Sequence, residues 1–526
     1  MRKFLILLTC FAAAGFALDP PTALTVVTAT NKQVKLSWTA GGTAATQYVV
    51  ERRTLDSTTY GAIGTIVPDN NKVLATTYTD AAFDPFTAYV YRVRGVNTTP
   101  VPSDISDPTN EVTVGPPPYG YTRVVATPDN LLVESTFGHH TEMALDPSGD
   151  PVLAWLVVDP NQDGDDVDSE LWALRWDRAH YTWTAPVRVA VPGSIESSGN
   201  FAQSYRIAVD RTSGAIAIAY LDLSVTDTWT VVVADSADGG VTWRKRTIAT
   251  DTQSAYNMPA LALGAGKVYL TFYHDFDGVH YRSGKLSDDP TTWSDELVPL
   301  LSGSGYGRDS DVALDSDGNP GVAYLVSTDA GHSELFYRPG GNAAVANAST
   351  DGPGDFWQLR LGFFGNSPRI AFTGGLDDQY FADYDHALFL LAATDSGSSW
   401  NPRLNIKSDG NTSISGPIDL SFDSKGLGAI VTESNGGNSD GVVCGQPKLA
   451  LSDGSGAWKT CGITAKYTSG GQSPNVRFVA NDTMYMAFQT PTYPFDPTTG
   501  LELPAGVYFW RGPIGFTFPT APPPQQ

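Results

Sequence analysis

The chain has 526 residues, with 56 acidic against 33 basic side chains and a formal net charge of −23. That balance excludes the basic footprint nucleic-acid phosphates require and works against docking on an anionic membrane surface. With 52 Gly, 36 Pro and no long 3.6-residue periodicity, the chain is expected to be all-β and to hold more than one domain.

Residues 1–17 read as a secretory signal peptide. Arg2 and Lys3 precede the apolar stretch Phe4–Ala14, which is too short to cross a bilayer. Gly15 and Ala17 supply the small residues before a cut near Ala17. No later segment is expected to insert into a membrane, so the mature chain is expected to be secreted and extracellular.

Residues 18–115 carry short alternating strands at Val34–Trp38, Gln47–Arg52, Tyr89–Asn97 and Asn110–Val114. This spacing suits a β-sandwich of about 100 residues. The lead-in Pro20-Pro21, Trp38 in the second strand, Tyr78-Thr-Asp80 and the run Tyr91-Arg-Val-Arg-Gly-Val-Asn97 resemble a fibronectin type III domain. Such a resemblance implies a spacer or interaction module and brings no catalytic group. Pro116-Pro-Pro118 then opens a stiff linker over 116–120.

From 121 to 513 one segment recurs seven times, starting at Met143, Ile207, Leu261, Val312, Leu361, Leu420 and Phe478. Each copy is an apolar run, a polar Asp/Gly turn and a second apolar run. A strand-rich repeat of roughly 50–65 residues cannot bury both faces alone, so its copies are expected to stack around an axis as a β-propeller. Seven blades are expected, with six as the alternative. The seventh copy lacks a fourth strand, while Tyr121–Thr127 resembles the fourth strand Trp243–Thr250. The early strand is therefore expected to complete the last blade and close the ring. The tail 514–526 ends in Pro519-Thr-Ala-Pro-Pro-Pro-Gln-Gln526, a composition that need not pack.

Ser236-Ala-Asp-Gly-Gly-Val-Thr-Trp243 matches Ser-x-Asp-x-Gly-x-Thr-Trp at every fixed position, and Ala393–Trp400 is a near match. Ser287–Trp293 and Ser452–Trp458 are eroded versions. These runs resemble the Asp-box, or BNR repeat, of the sialidase-like superfamily. The resemblance implies a propeller whose Asp-box turns lie opposite the active face. It does not carry over the sialidase machinery: no Arg-Ile-Pro triplet occurs, and Arg206-Ile-Ala and Arg369-Ile-Ala are the nearest.

Aligning the first strands brings Glu142, Arg206, Ala260, Asp311, Arg360, Asp419 and Arg477 to one position. First strands line a propeller's channel, so these six charged residues are candidate ligand contacts for a carboxylated or sulfated sugar. The alternative is three ion pairs between adjacent blades: Glu142–Arg206, Asp311–Arg360 and Asp419–Arg477.

Asp159-Pro-Asn-Gln-Asp-Gly-Asp-Asp-Val-Asp-Ser-Glu170 satisfies D-x-[DN]-x-[DN]-G-x₅-E. Asp159, Asn161, Asp163, Asp165 and Glu170 are candidate Ca²⁺ ligands, with Gly164 making the sharp turn. The alternative is a solvated acidic turn. Cys444 and Cys461, both in the sixth repeat, form a disulfide or stay as free thiols. His139, His140 and His274 do not form a zinc motif, and no nucleophile elbow or phosphate loop is present.

The expected function is recognition of an extracellular glycan or surface protein by the propeller, with Ca²⁺ ordering a rim loop. The alternatives are a glycoside hydrolase or lyase acting on acidic polysaccharide, and a purely architectural module.

Overall fold

The computed structural model describes residues 18–42, 45–98, 104–126, 141–158, 169–193, 205–225, 228–251, 256–274, 278–298, 307–327, 333–340, 345–348, 355–375, 387–407, 418–432, 448–452, 458–462, 472–479, 483–490 and 506–513. Two compact units emerge, one from Met1–Pro117 with Asp177–Thr182, the other from Pro118–Trp176 with Trp183–Gln526. Strands dominate, and the described residues hold no α-helix.

The first unit is a two-sheet sandwich. One sheet orders β1 (Thr22–Ala29), β2 (Val34–Thr39) and β5 (Thr77–Asp80). The other orders β4 (Gly61–Ile66), β3 (Gln47–Thr54), β6 (Tyr89–Asn97) and β7 (Asp104–Pro108), with β8 (Val112–Val114) also pairing β6. Inward positions alternate as the sequence pattern requires: Val34, Leu36 and Trp38 from β2 meet Tyr48, Val50, Tyr91 and Val93 from β3 and β6. The Trp38 and Tyr48 rings meet edge to face at 5.5 Å. Buried Asp80 accepts from the Tyr91 hydroxyl at 3.0 Å and from Arg52 Nη1 at 2.5 Å. With Ala82 N donating to Asp80 Oδ1 at 3.0 Å, three donors satisfy a carboxylate that would otherwise be costly to bury. Burial, and then the Asp80 charge, push the Tyr91 phenol far above its usual range.

The second unit holds seven antiparallel sheets among the described residues. Each runs from an inner strand outward. Blade one orders β10 (Thr141–Leu145), β11 (Pro151–Val158), β12 (Ser169–Asp177) and β13 (Thr182–Trp183), with β14 (Val187–Gly193) also on β12. Blade two takes β15 (Tyr205–Val209), β16 (Ile216–Asp222), β17 (Trp229–Ser236) and β18 (Arg244–Asp251). Blade three takes β19 (Tyr256–Gly264), β20 (Lys267–His274), β21 (Gly278–Lys285) and β22 (Ser294–Leu297). Blade four takes β23 (Gly307–Leu314), β24 (Pro320–Ser327), β25 (Ser333–Arg338) and β26 (Ala346–Asn347). Blade five takes β27 (Asp355–Phe364), β28 (Ser367–Gly375), β29 (Ala387–Ala392) and β30 (Leu404–Lys407). Blade six takes β31 (Ile418–Phe422), β32 (Gly428–Thr432), β33 (Lys448–Ser452) and β34 (Trp458–Gly462). Blade seven takes β35 (Gln472–Val479), β36 (Thr483–Thr490) and β37 (Gly506–Pro513), and its outer strand is β9 (Gly120–Ala126).

The inner strands touch in sequence order, β10 to β15, β19, β23, β27, β31 and β35, and β35 returns to β10. The sheets therefore stand around a closed axis, as a β-propeller. β9 pairs β37 antiparallel, from Gly506 opposite Ala126 to Arg511 opposite Gly120. An early strand and the last strand share one sheet, which replaces two open edges by a hydrogen-bonded seam.

Each core between blades draws on both neighbours. Ile216, Ile218 and Tyr220 of β16 pack with blade one, while Ala217, Ala219 and Leu221 of the same strand pack with blade three. Odd and even positions serve different cores, so the second strands read as continuous apolar runs rather than alternating ones. The Asp/Gly turn of the repeat has a local cause. Asp146 Oδ1 accepts from the backbone N–H of Ser148 at 2.7 Å and of Asp150 at 2.9 Å. Asp315 does the same for Asp317 and Asn319, and Asp423 for Lys425 and Leu427. The glycine three residues after each Asp sits at positive φ (Gly149 78°, Gly318 83°, Gly426 88°), which a side chain would strain.

Candidate functional site

The aligned first-strand position is realised in register. Glu142, Arg206, Asp311 and Arg360 stand opposite Ala154, Ala219, Ala323 and Ala371 of their second strands. Small partners leave room for the long charged side chains to converge on the axis. Arg206 Nη1 donates to Glu142 Oε1 at 2.7 Å. Arg477 Nη1 pairs with Asp419 Oδ2. These are two of the three pairs expected between adjacent blades.

The third pairing is different. Asp311 turns its carboxylate to the backbone, accepting from Leu361 N at 2.8 Å and Val312 N at 3.0 Å. Arg360 instead reaches across the axis to Glu142 Oε1 at 3.4 Å and lies 3.9 Å from Asp419 Oδ1. Pattern alignment shows which residues share a level; it does not show that an arginine can span the ring to a stronger cluster of negative charge.

The same level also bonds blades through their backbones. Asp309 Oδ2 accepts from Leu359 N at 2.9 Å, and Asp419 Oδ2 from Val476 N at 2.8 Å. Asn475 takes Met143 N at 2.7 Å and gives its amide to Thr141 O at 2.8 Å, spanning the last and first blades. Asp309 and Asn475 were not among the sequence candidates; their signal was a polar residue two positions before the aligned charge. Burial raises the Glu142 acid above its usual range against the pull of Arg206. Burial likewise raises Asp309 to about 7 and Asp311 to about 6. Glu142, Arg206, Asp311, Arg360 and Asp419 are all buried, whereas the Arg477 side chain keeps 23% exposure.

The Asp-box turns close β17 to β18 and β29 to β30. Asp238 Oδ1 accepts from Val241 N at 3.0 Å and Thr242 N at 2.9 Å, and Oδ2 from the Thr242 hydroxyl at 2.6 Å. Asp395 binds Gly397 N and Ser398 N at 2.8 Å each. Hydrogen bonds to the charged form hold Asp238 well below the carboxylate range and Asp395 at about 2. Trp243 and Trp400 pack into inter-blade cores.

Of the expected Ca²⁺ ligands, Asp159, Asn161, Asp163 and Asp165 lie outside the described residues. Glu170, at the start of β12, accepts from Arg188 Nη1 at 2.6 Å and Trp172 Nε1 at 3.0 Å. Both its oxygens are engaged, so a bidentate cation there has to displace Arg188. No cluster of three His, Cys, Asp or Glu suited to a metal occurs among the described residues. Cys444 lies outside them, and Cys461 sits on β34, where the backbone alone is described.

Residues 19–110 match the family model of the fibronectin type III domain. This stretch is a fibronectin type III domain. Its strands β1 to β7 fall within the match, and β8 follows the fibronectin type III match directly. No curated protein matches the chain. Among solved structures, the Hadza microbial sialidase Hz136 is 9% identical, covers 94% of this chain and 95% of its own, and has a TM-score of 0.43. The Penicillium chrysogenum alpha-L-arabinanase complexed with arabinobiose is 13% identical over 75% of this chain and 98% of its own, with a TM-score of 0.40. The GH93 alpha-L-arabinofuranosidase of Fusarium graminearum with arabinobiose is 12% identical over the same shares, 75% and 98%, with a TM-score of 0.43. The ring of sheets stands on its own strand pairing rather than on these likenesses. Among the described residues, no helix is long and apolar enough to cross a membrane.

Proposed function

We propose that this is a secreted binding protein whose propeller recognises an extracellular glycan or surface protein at the end bearing the loops between second and third strands. One observation carries the reading. Glu142, Arg206, Arg360 and Asp419 are buried and engaged with one another at the axis. Charges spent on mutual pairing hold blades together rather than perform chemistry. Arg477, the most open of the six channel candidates, is the group best placed to meet an acidic ligand. Ca²⁺ at loop 159–170 belongs to the same proposal. It is supported by the Asp/Asn/Gly/Glu spacing, with Glu170 exchanging Arg188 for the ion.

A second reading, a glycoside hydrolase or lyase on acidic polysaccharide, needs an acid that reaches substrate; burial raises Asp311 and Asp309, but both carboxylates are bound to backbone N–H groups and would first have to leave them. One experiment separates the two. The secreted chain is screened on acidic and neutral glycans and on surface proteins with and without Ca²⁺, and every hit is analysed for products. Binding without products, weakened by chelation and by Glu170→Ala, supports the binding reading. Released oligosaccharides support the hydrolase or lyase. Binding unchanged by chelation removes the calcium loop.

A further inference from the structure

A crevice of about 220 Å³ opens between blades one and two, at the end of the propeller that carries the Asp-box turns. It lies between the β10–β11 turn and the β17–β18 turn, so it is separate from the face invoked above. Arg175 of β12 lines it. Among the described residues nothing pairs with the Arg175 guanidinium, and its Nε is buried without a hydrogen-bond acceptor. A half-buried arginine with no partner among the described residues is unusual in a chain where 56 acidic residues compete for 33 basic ones. The nearby carboxylates do not serve it. Asp146 and Asp238 also line the crevice, but both bind backbone N–H groups of their own turns.

Comparison with another copy of the repeat shows how the two Asp-box junctions differ. In blade five the Asp-box glycine is Gly397, where a Cβ would lie 2.2 Å from Cε1 of Tyr337 in blade four. Tyr337 fills that junction and meets Trp400 edge to face at 5.4 Å. In blade two the same glycine is Gly240, where the nearest atoms to such a Cβ are Ile216 Cδ1 at 3.7 Å and Trp243 Cζ2 at 3.8 Å. The residue standing where Tyr337 stands is Ala173, since Ala173 pairs Ala154 as Tyr337 pairs Ala323. Ala173 carries no ring into that junction, and the crevice itself is lined by Arg175, two residues further along β12. Gly239 lines the crevice beside Arg175. Its position is a variable one in the Asp-box, yet a Cβ there would lie 2.8 Å from Arg175 Cζ. Glycine at this place lets the guanidinium lie against the turn.

We propose that this crevice is a binding site for a single carboxylated sugar unit, with Arg175 as the carboxylate anchor. A planar guanidinium with no partner among the described residues is matched to a carboxylate. Pro147, Val152 and Ile216 give an apolar wall for a ring's C–H face, and Ser213 gives a hydroxyl at the rim. The volume admits about one sugar ring and is below the roughly 300 Å³ at which drug-sized pockets begin.

The test is calorimetric or saturation-transfer titration of the full chain with D-glucuronate, D-glucose and N-acetyl-aspartate. Saturable D-glucuronate binding, no D-glucose binding, a loss of about ten-fold or more in Arg175→Met and a smaller loss in Arg175→Lys are expected. Denaturation midpoints of both variants check that the fold is intact, and Arg175→Lys keeps the test open should Arg175→Met fail to fold. Absent D-glucuronate binding, equal D-glucose binding, or affinity unchanged in Arg175→Met each overturns the site. Tighter binding of N-acetyl-aspartate than of D-glucuronate overturns the sugar assignment in favour of a peptide carboxylate.

Discussion

Arg360 and Glu142 lie on inner strands three places apart around the ring, β27 and β10, yet Nη2 and Oε1 are 3.4 Å apart. The contact crosses the propeller axis and ties non-adjacent blades to one cluster. Without Arg360, Glu142 keeps Arg206 at 2.7 Å and Asp419 keeps Arg477, so the cost stays below the roughly 3–5 kcal/mol of a buried charge left wholly unpaired. Arg360→Met is therefore expected to lower unfolding free energy by about 1–3 kcal/mol. The double variant Arg360→Met, Glu142→Gln is expected to lose more, because Glu142→Gln also takes the charged partner from buried Arg206. Urea denaturation checks both.

Two truncations separate the seam from the fibronectin type III domain. A chain starting at residue 118 keeps β9, and one starting at residue 127 loses it. The first is expected to unfold with the midpoint of the intact propeller. The second leaves β37 with an open edge and is expected to melt earlier and to self-associate. Calorimetry and sedimentation read the two effects; equal behaviour of the two chains removes the role assigned to the seam.

Stability is expected to depend on pH in a direction set by the axis. Asp311 at about 6 and Asp309 at about 7 are raised by burial, so the folded state holds protons that the unfolded chain has released. Their stabilisation is complete below the ordinary carboxylate range and is lost as pH rises from about 4 to 7. Asp395, held at about 2, acts the other way: its contribution is present at higher pH and fades as pH falls toward 2. Asp309→Asn is expected to flatten the fall between pH 4 and 7, measured as denaturation midpoint against pH.

In the fibronectin type III domain, Tyr91→Phe removes one donor from buried Asp80. A loss of about 1–3 kcal/mol is expected in the isolated domain, because a buried carboxylate is left short of a partner. A loss under about 0.5 kcal/mol in a fluorescence-detected urea titration would place that carboxylate's support on Arg52 and Ala82 N.

The architecture was legible because its causes are local and repeat. Asp146, Asp315 and Asp423 each bind two N–H groups of their own turn, so the same short motif had to recur. The pairing of β9 with β37 was legible because one copy lacked a strand and another lay spare. The Glu142–Arg206 pair followed from one alignment. The Arg360–Glu142 contact did not, since it depends on ring diameter and side-chain reach. Nor did the Arg175 crevice, whose lining comes from β12 and from turns of two different blades. Both are set by three-dimensional packing between copies, which a pattern within one copy does not encode.

The direct measure of whether the axial charges lock the ring is a double-mutant cycle on Glu142→Gln and Arg206→Met, read by chemical denaturation of the full chain. A coupling free energy of about 1–3 kcal/mol is expected for a buried, hydrogen-bonded pair. Additivity within about 0.5 kcal/mol would contradict a structural lock and return Glu142 and Arg206 to the ligand.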